Sequence, residues 1–410
     1  MSEPILIIAV KKPEHQDNRF QSSLDELVSL CETAGGQVAE VITQNRQRIH
    51  PAYYIGEGKM NEIKHMAEEL QIELIISNDE LSPGQLRNLS DHIGVRVIDR
   101  SQLILDIFAQ RARTKEGKLQ VELAQLEYLL PRLHGQGTEM SRLGAGIGTR
   151  GPGETKLETD QRHIRQRIVD IKRRLKAVVQ QREQYRKRRR TNEIFQIAVV
   201  GYTNAGKSTL FNQLTNSGSL VEDQLFATLD PLTRKIQLPS GFQTLLTDTV
   251  GFIQDLPTSL VASFKSTLEE VTEADFILHV ADAANPDMEQ HHKTVNRLLR
   301  DLEADNIPML TVYNKKDLLE DDFIGINHPN ITISALEDAD ITRLLLKIES
   351  ILKDAWEWYQ VQVLPDQGKT LNRLKRKTII TGQSFQEIQN EYIVEGFMRE
   401  NHPLKSLMKE

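Results

Sequence analysis

The chain has 410 residues, enough for about two to four domains. Its 51 Lys/Arg and 58 Asp/Glu leave a net charge of −7, which excludes a chain-wide polycation of the kind that coats nucleic acid. The lone Cys31 excludes an internal disulfide, no apolar run approaches the ~18 residues of a membrane span, and the opening Met-Ser-Glu-Pro lacks a signal peptide's basic start; together they predict a cytoplasmic protein. Peripheral membrane association stays open as an alternative.

Residues 1–105 alternate two periods. Ile5 to Val10, Gln37 to Thr43, Glu73 to Ser77 and Val95 to Ile98 are β-rich runs. Between them Gln21 to Ala34, Gly58 to Leu70 and Ser82 to His92 carry helical spacing. The alternation predicts a small parallel sheet flanked by helices. Tyr54-Ile55-Gly56-Glu57-Gly58-Lys59 has two glycines without phosphate-loop spacing, and reads as a loop entering a helix. A second nucleotide site here is the alternative.

Residues 106–191 read as a helical hairpin. Leu119, Leu123, Leu126, Leu130 and Leu133 recur at coiled-coil spacing, as do Ile164, Ile168, Ile171, Leu175 and Val178. The second helix, from Glu154 to about Arg190, would be roughly 50 Å long at 1.5 Å per residue. From Lys156 to Arg190 there are 14 Lys/Arg against 4 Asp/Glu, a local +10 that leaves −17 for the rest. The joining loop, 134–153, is rich in glycine, with Arg142 and Arg150 interleaved among Gly144, Gly146, Gly148 and Gly151. Such a loop has little side-chain bulk, so its backbone can approach a phosphate or base, and its arginines can pair or stack. A basic helix with a Gly/Arg tip predicts structured RNA as a partner; a solvated helix with a plain linker is the other reading.

Residues 192–356 carry the chemistry. Gly201-Tyr202-Thr203-Asn204-Ala205-Gly206-Lys207-Ser208-Thr209 is a complete G-x-x-x-x-G-K-[ST] phosphate loop after the apolar run Ile194 to Val200. Its amides and the following helix N-terminus would cradle phosphates, Lys207 would add charge at the β- and γ-phosphates, and Ser208 a hydroxyl for Mg²⁺. Asp248, in Thr247-Asp248-Thr249-Val250-Gly251, would hold Mg²⁺ through water, and the Gly251 N–H would meet the γ-phosphate. Asn314-Lys315-Lys316-Asp317 is a guanine box: the Asp317 carboxylate accepts two hydrogen bonds that adenine cannot offer. Asn314 and Lys315 would brace the neighbouring loops, and a backbone N–H of Ser334-Ala335-Leu336 would donate to guanine O6. Each later box is weak alone; in this order, each at a strand end, they predict an open α/β GTP site.

Where a water-orienting glutamine follows the D-x-x-G box in Ras-like enzymes, this chain has Phe252. Slow intrinsic turnover is expected, with help from a partner that orders residues 221–233 and 248–260. A bound K⁺ is a second candidate, because Asn204 stands where potassium-activated relatives carry an Asn. The other reading of Asn204 is that it fits the turn. His291-His292 has no Cys/His partner spacing and lies on an exposed-looking helix, so a metal site is not expected there.

In residues 357–410, Val361 to Leu364, the basic Lys369 to Lys377 and Tyr392 to Met398 suggest a small α/β domain. Just before and at its start, Trp356, Trp358 and Tyr359 read as junction packing, with an interface patch as the alternative.

The nucleotide boxes resemble the translation-factor-like GTPases. Phe226-Ala227-Thr228-Leu229-Asp230-Pro231 resembles the first switch of the Obg–HflX branch, which implies that Thr228 reaches Mg²⁺ and the γ-phosphate; from the residues alone Thr233 is a rival. The string from Ser141 to Arg162, SRLGAGIGTRGPGETKLETDQR, resembles the glycine-rich tip of HflX GTPases. That resemblance implies a multidomain chain acting on the large ribosomal subunit, its tip toward the peptidyl-transferase centre, splitting or rescuing stalled ribosomes under stress such as heat; a monomer is expected. Composition and spacing stop at an RNA-binding GTPase. The rival functions are a GTP-gated protein-binding switch and an RNA remodelling enzyme using ATP in the N-terminal domain.

Overall fold

A computed structural model describes residues 3–14, 16–133, 156–191, 194–215, 225–226, 231–254, 268–320, 323–400 and 402–408. The chain divides by contact into two units, Met1–Gln181 with Asp223–Asp230 and Gln254–Ser266, and Arg182–Glu222 with Pro231–Ile253 and Thr267–Glu410.

In the first unit the strands β1 (Pro4–Lys11), β2 (Gln37–Asn45), β3 (Leu74–Ser77) and β4 (Arg96–Asp99) form a parallel sheet in the order β2-β1-β3-β4. Helices α1 (Asp17–Thr33), α2 (Glu57–Glu69) and α3 (Pro83–Ile93) connect them. Leu6, Ile8 and Val10 alternate along β1 and pack with Met60, Ile63 and Leu89 from α2 and α3, which fixes the register of the sheet. Helix α3 opens on a full capping box, Ser82 with Gln85, and a proline at its start. Asp99 ends β4 and caps α4 (Arg100–Arg111) by accepting from the Gln102 N–H at 2.9 Å.

The hairpin pairs α5 (Lys115–Arg132) with α6 (Lys156–Thr191). Leu119, Leu123, Leu126 and Leu130 of α5 meet Ile164, Ile168, Ile171 and Leu175 of α6, the expected seam. Arg167 reinforces it by a two-pronged pair with Glu122, at 2.6 and 2.8 Å. The joining loop, with Arg142, Gly144, Gly146, Gly148, Arg150 and Gly151, lies outside the described residues.

In the second unit a six-stranded sheet runs β10-β9-β8-β5-β7-β6. Its strands are β5 (Phe195–Gly201), β6 (Leu232–Gln237), β7 (Gln243–Asp248), β8 (Phe276–Asp282), β9 (Met309–Asn314) and β10 (Asn330–Thr332); only the edge strand β6 is antiparallel, to β7. Helices α7 (Lys207–Thr215), α8 (Met288–Asp301) and α9 (Asp338–Ala355) accompany it. Ile197, Val199, Leu246, Leu278, Leu310 and Val312 form one apolar layer with Leu344 and Ile348 of α9. Trp356 ends that layer edge-on to Phe195 and Phe242, with ring centroids 5.7 and 5.3 Å away.

The C-terminal segment folds as β11 (Glu357–Val363), α10 (Gly368–Lys377), β12 (Ile379–Gln386) and β13 (Glu391–Met398), an antiparallel sheet in the order β11-β13-β12 under one helix. Strand β12 gave no run in the sequence because most of its side chains are exposed and a register shift falls between Ile380 and Gly382.

Candidate nucleotide site

The loops that carry the four boxes leave the carboxyl ends of β5, β7, β9 and β10. Strand β5 lies between β7 and β8, so its loop is central. Gly206 takes φ +89°, and a Cβ there would sit 2.2 Å from Asn314 Nδ2. The left-handed turn and the close side chain both demand glycine. Asn204 also has a positive φ, +60°, which asparagine tolerates; this alone satisfies the turn reading of that residue. Lys207 donates from Nζ to the Tyr202 carbonyl at 2.6 Å. Burial pushes its pKa down to about 8, against the pull of Asp248. Ser208 Oγ donates to Asp248 Oδ2 at 3.0 Å, so two hard oxygens stand together beside the lysine, a donor set that suits Mg²⁺. Thr203 and Ala205 are buried.

The D-x-x-G segment is tied to the phosphate loop through its backbone. Thr249 Oγ1 donates to the Val199 carbonyl at 2.7 Å and Val250 is buried, so both side chains serve the core. A Cβ on Gly251 would come within 3.0 Å of Lys207 Nζ and 2.7 Å of Thr203 Cγ2, which places its main chain against the lysine. Phe252 donates its N–H to the Gly201 carbonyl at 3.1 Å, and its own carbonyl accepts from Thr203 N–H at 2.8 Å. Its ring is 4% exposed, among Val200, Tyr202 and Ile277. From the sequence this residue was legible only as a missing glutamine; the structure makes it the clamp between the D-x-x-G segment and the loop from Gly201 to Thr203.

The guanine boxes interlock in the same way. Asn314 Nδ2 donates to the Ala205 carbonyl at 3.0 Å, and its Oδ1 accepts from the Ala335 N–H at 2.9 Å. One side chain thus joins three loops. Lys315 has φ +65° and pairs with Asp282 at 2.8 Å. Ser334 Oγ donates to Asp317 Oδ1 at 2.6 Å and accepts from the Leu336 N–H at 3.3 Å. Asp340, which no motif marks, completes the set. It is 2% exposed, accepts from the Ser334 N–H at 2.9 Å, and pairs with Arg343 at 2.6 Å and Lys316 at 3.5 Å. Burial pushes its carboxyl up, but the Ser334 N–H and the two cations hold it below the usual range. An acid in the first turn of the helix after Ser-Ala-Leu was the available signal.

Other named positions fall elsewhere. Ala227, Thr228, Leu229 and Asp230 lie outside the described residues. Phe226 belongs to the first unit, where its buried ring meets Phe108 edge-on at 4.6 Å. Thr233 sits in β6 and shares a 3.0 Å hydrogen bond with Thr247. The histidine pair is not on an exposed face, because α8 lays both rings against the sheet end. His291 stacks on Tyr202 at 3.6 Å and His292 on His279 at 4.5 Å. These rings, with Asn204 and Asp282, line a cavity of about 50 Å³. Burial pushes His291 down to about 4, and burial with the nearby His292 and Lys207 pushes His279 down to about 3. Among the described residues no three His, Cys, Asp or Glu are grouped to hold a metal ion.

Family models described as GTP-binding GTPase N-terminal, GTP-binding GTPase middle region and 50S ribosome-binding GTPase match residues 21–109, 111–189 and 196–315. A GTPase HflX of Alkalihalophilus pseudofirmus is 54% identical over 396 residues, 96% of this chain and 94% of that one. The GTPase HflX of Escherichia coli is 45% identical over 376 residues, 90% of this chain and 88% of that one. Among solved structures, a GTP-binding protein from Sulfolobus solfataricus in complex with GDP is 24% identical, with 85% of this chain and 98% of that chain covered and a TM-score of 0.46.

Proposed function

This chain belongs to the HflX family of GTPases, and from that premise we propose that it works on the large ribosomal subunit, where it splits or rescues stalled ribosomes under stress such as heat. The ribosome-binding description of the family model over residues 196–315 and the basic hairpin support that partner. In this reading the GTP-bound form engages the subunit, the tip with Arg142, Gly144, Gly146, Gly148, Arg150 and Gly151 contacts RNA, and hydrolysis releases the protein. The four segments, 1–105, 106–191, 192–356 and 357–410, act as sheet domain, hairpin, G domain and C-terminal domain of a monomer.

Lys207 and the Gly251 N–H hold the γ-phosphate, Thr228 closes over it, and Asp317 with Ser334, Ala335 and Leu336 reads guanine. Ser208 and Asp248 would hold Mg²⁺, which supplies charge neutralisation at the β- and γ-phosphates. The observation that carries the dependence on a partner is the burial of the Phe252 ring. A buried phenyl ring has no group to hold a water, so the orienting group comes from outside the box, with K⁺ at Asn204 as the other source.

The test is single-turnover GTP hydrolysis with and without purified large subunits, in KCl and in NaCl. Stimulation by subunits of at least about 10-fold is expected. Equal rates with and without subunits would refute the ribosomal reading, and equal rates in the two salts would remove K⁺.

A further inference from the structure

Helix α10 carries Lys369, Arg373, Lys375, Arg376 and Lys377 in ten residues, with no acid. Its inner face is settled. Leu374 is buried in a cluster with Val361, Val363, Val394 and Met398, and Leu371 packs against the same cluster. Thr378, directly after the helix, is fully buried; its hydroxyl shares a 2.6 Å hydrogen bond with Tyr359 and a 2.7 Å bond to the Leu374 carbonyl. The helix is therefore fixed on its sheet, and its outer face is set by the backbone.

That outer face presents Lys369, Arg373, Lys375 and Arg376, all exposed. Among the described residues none of the four forms an ion pair. The surrounding chain is acidic overall, at −7. A plain stabilising role accounts for part of the set, since Lys375 and Arg376 lie in the last turn, where cations complement the helix dipole. It does not account for Lys369, which lies in the first turn where the dipole opposes it, nor for Arg373 at mid-helix. From Lys369 through Arg373 to Arg376 the row runs about 10 Å along one side, these three about one turn apart, with Lys375 on its flank.

We infer that the outer face of α10 is a docking surface for an RNA phosphate backbone, through Lys369, Arg373, Lys375 and Arg376. The chemistry fits a repeating anion better than a single carboxylate, because separate cations in a row match separate phosphates. The inference rests on the ribosomal reading above, and adds a second RNA contact, in the C-terminal domain, to the glycine-rich tip.

The test compares the full-length chain with a variant carrying Lys369→Gln, Arg373→Gln, Lys375→Gln and Arg376→Gln. Both bind large ribosomal subunits in the presence of a non-hydrolysable GTP analogue, over a salt series, and then bind RNA extracted from the same subunits. Each lost phosphate contact should flatten the plot of log affinity against log salt by about 0.7–0.9, so the variant's slope should be shallower by about 3 on both probes. A double variant, Lys369→Gln with Arg373→Gln, keeps the dipole-complementing cations and should flatten the slope by about 1.5. It decides the matter if the fourfold variant fails to fold. The unstimulated GTPase rate should stay at the wild-type value. Equal slopes for wild type and variants overturn this inference alone. Flattening on intact subunits but not on extracted RNA overturns it in favour of an acidic protein. Absence of subunit binding by the wild type overturns the ribosomal reading and this inference with it.

Discussion

The two parallel sheets of this molecule use the same βα alternation and differ in what waits at their strand ends. At the carboxyl ends of β3 and β4 the charged side chains are paired with one another. Arg100 is buried in an ion pair with Glu26 and donates to Asn78 Oδ1 at 3.1 Å and the Ser23 carbonyl at 3.2 Å. Asp99 accepts from Leu81 N–H at 3.1 Å and from Gln102 N–H, and pairs with Arg132 at 3.3 Å. Tyr54, fully buried, donates to Asp79 and accepts from Val10 N–H at 3.0 Å. At the ends of β5, β7 and β9 the groups are instead held ready: Lys207 rests on its own loop's carbonyl, and Ser208 and Ser334 hold Asp248 and Asp317. The difference teaches that an open sheet supplies the location of a site, whereas the side chains at that location decide whether it is one.

The contrast breaks most visibly at Gly206. The variant Gly206→Val pushes a branched side chain against Asn314, and calorimetric titration with GDP should fall from one nucleotide per chain to none. Nucleotide still bound to that variant at the wild-type affinity would overturn the demand for glycine at this position. On the other side, Arg100→Leu removes the buried cation that pairs with Glu26 and should lower unfolding stability by up to about 3–5 kcal/mol in denaturant titration. Its GDP affinity should stay within about twofold of wild type; a larger loss would show that the closed network serves the nucleotide.

The smallest effect concerns the proton on Lys207. Its pKa in the nucleotide-free fold, about 8, lies below the ordinary value of 10.5. Between those values the unfolded chain keeps a proton that the fold has shed, so this group's share of stability rises from pH 8 to 10.5 and is lost as pH falls through about 8. Phosphates restore the charge, so GDP binding at pH 8 should take up about half a proton. Calorimetry in buffers of different ionisation enthalpy measures that uptake, and a value of zero would remove the buried-lysine account.

Much of this was legible in the chain. The strands read at Ile5 to Val10 and Gln37 to Thr43 lie within β1 and β2; β1 is a short continuous apolar run buried from Ile5 to Val10, and β2 shows itself by its β-branched residues Val38, Val41, Ile42 and Thr43. The hairpin seam was legible by its apolar period of 3.5. What escaped was set by neighbours distant in sequence. His291 and His292 look exposed on a polar helix until Tyr202 and His279 arrive to stack on them. Strand β12 has little apolar pattern, because it is an edge whose partner β13 supplies the order.

The sequence by itself determined the ligand. Gly201 to Thr209 and Asn314 to Asp317 spell the boxes expected for a guanine nucleotide because residues inside one motif are spaced covalently, and that spacing survives any fold that presents them. Only the tertiary structure decided how the motifs act on one another. Phe252 clamps the phosphate loop, Asn314 joins three loops and Asp340 holds Ser334, because a hydrogen bond between distant segments exists only once packing has brought its donor and acceptor to the same place.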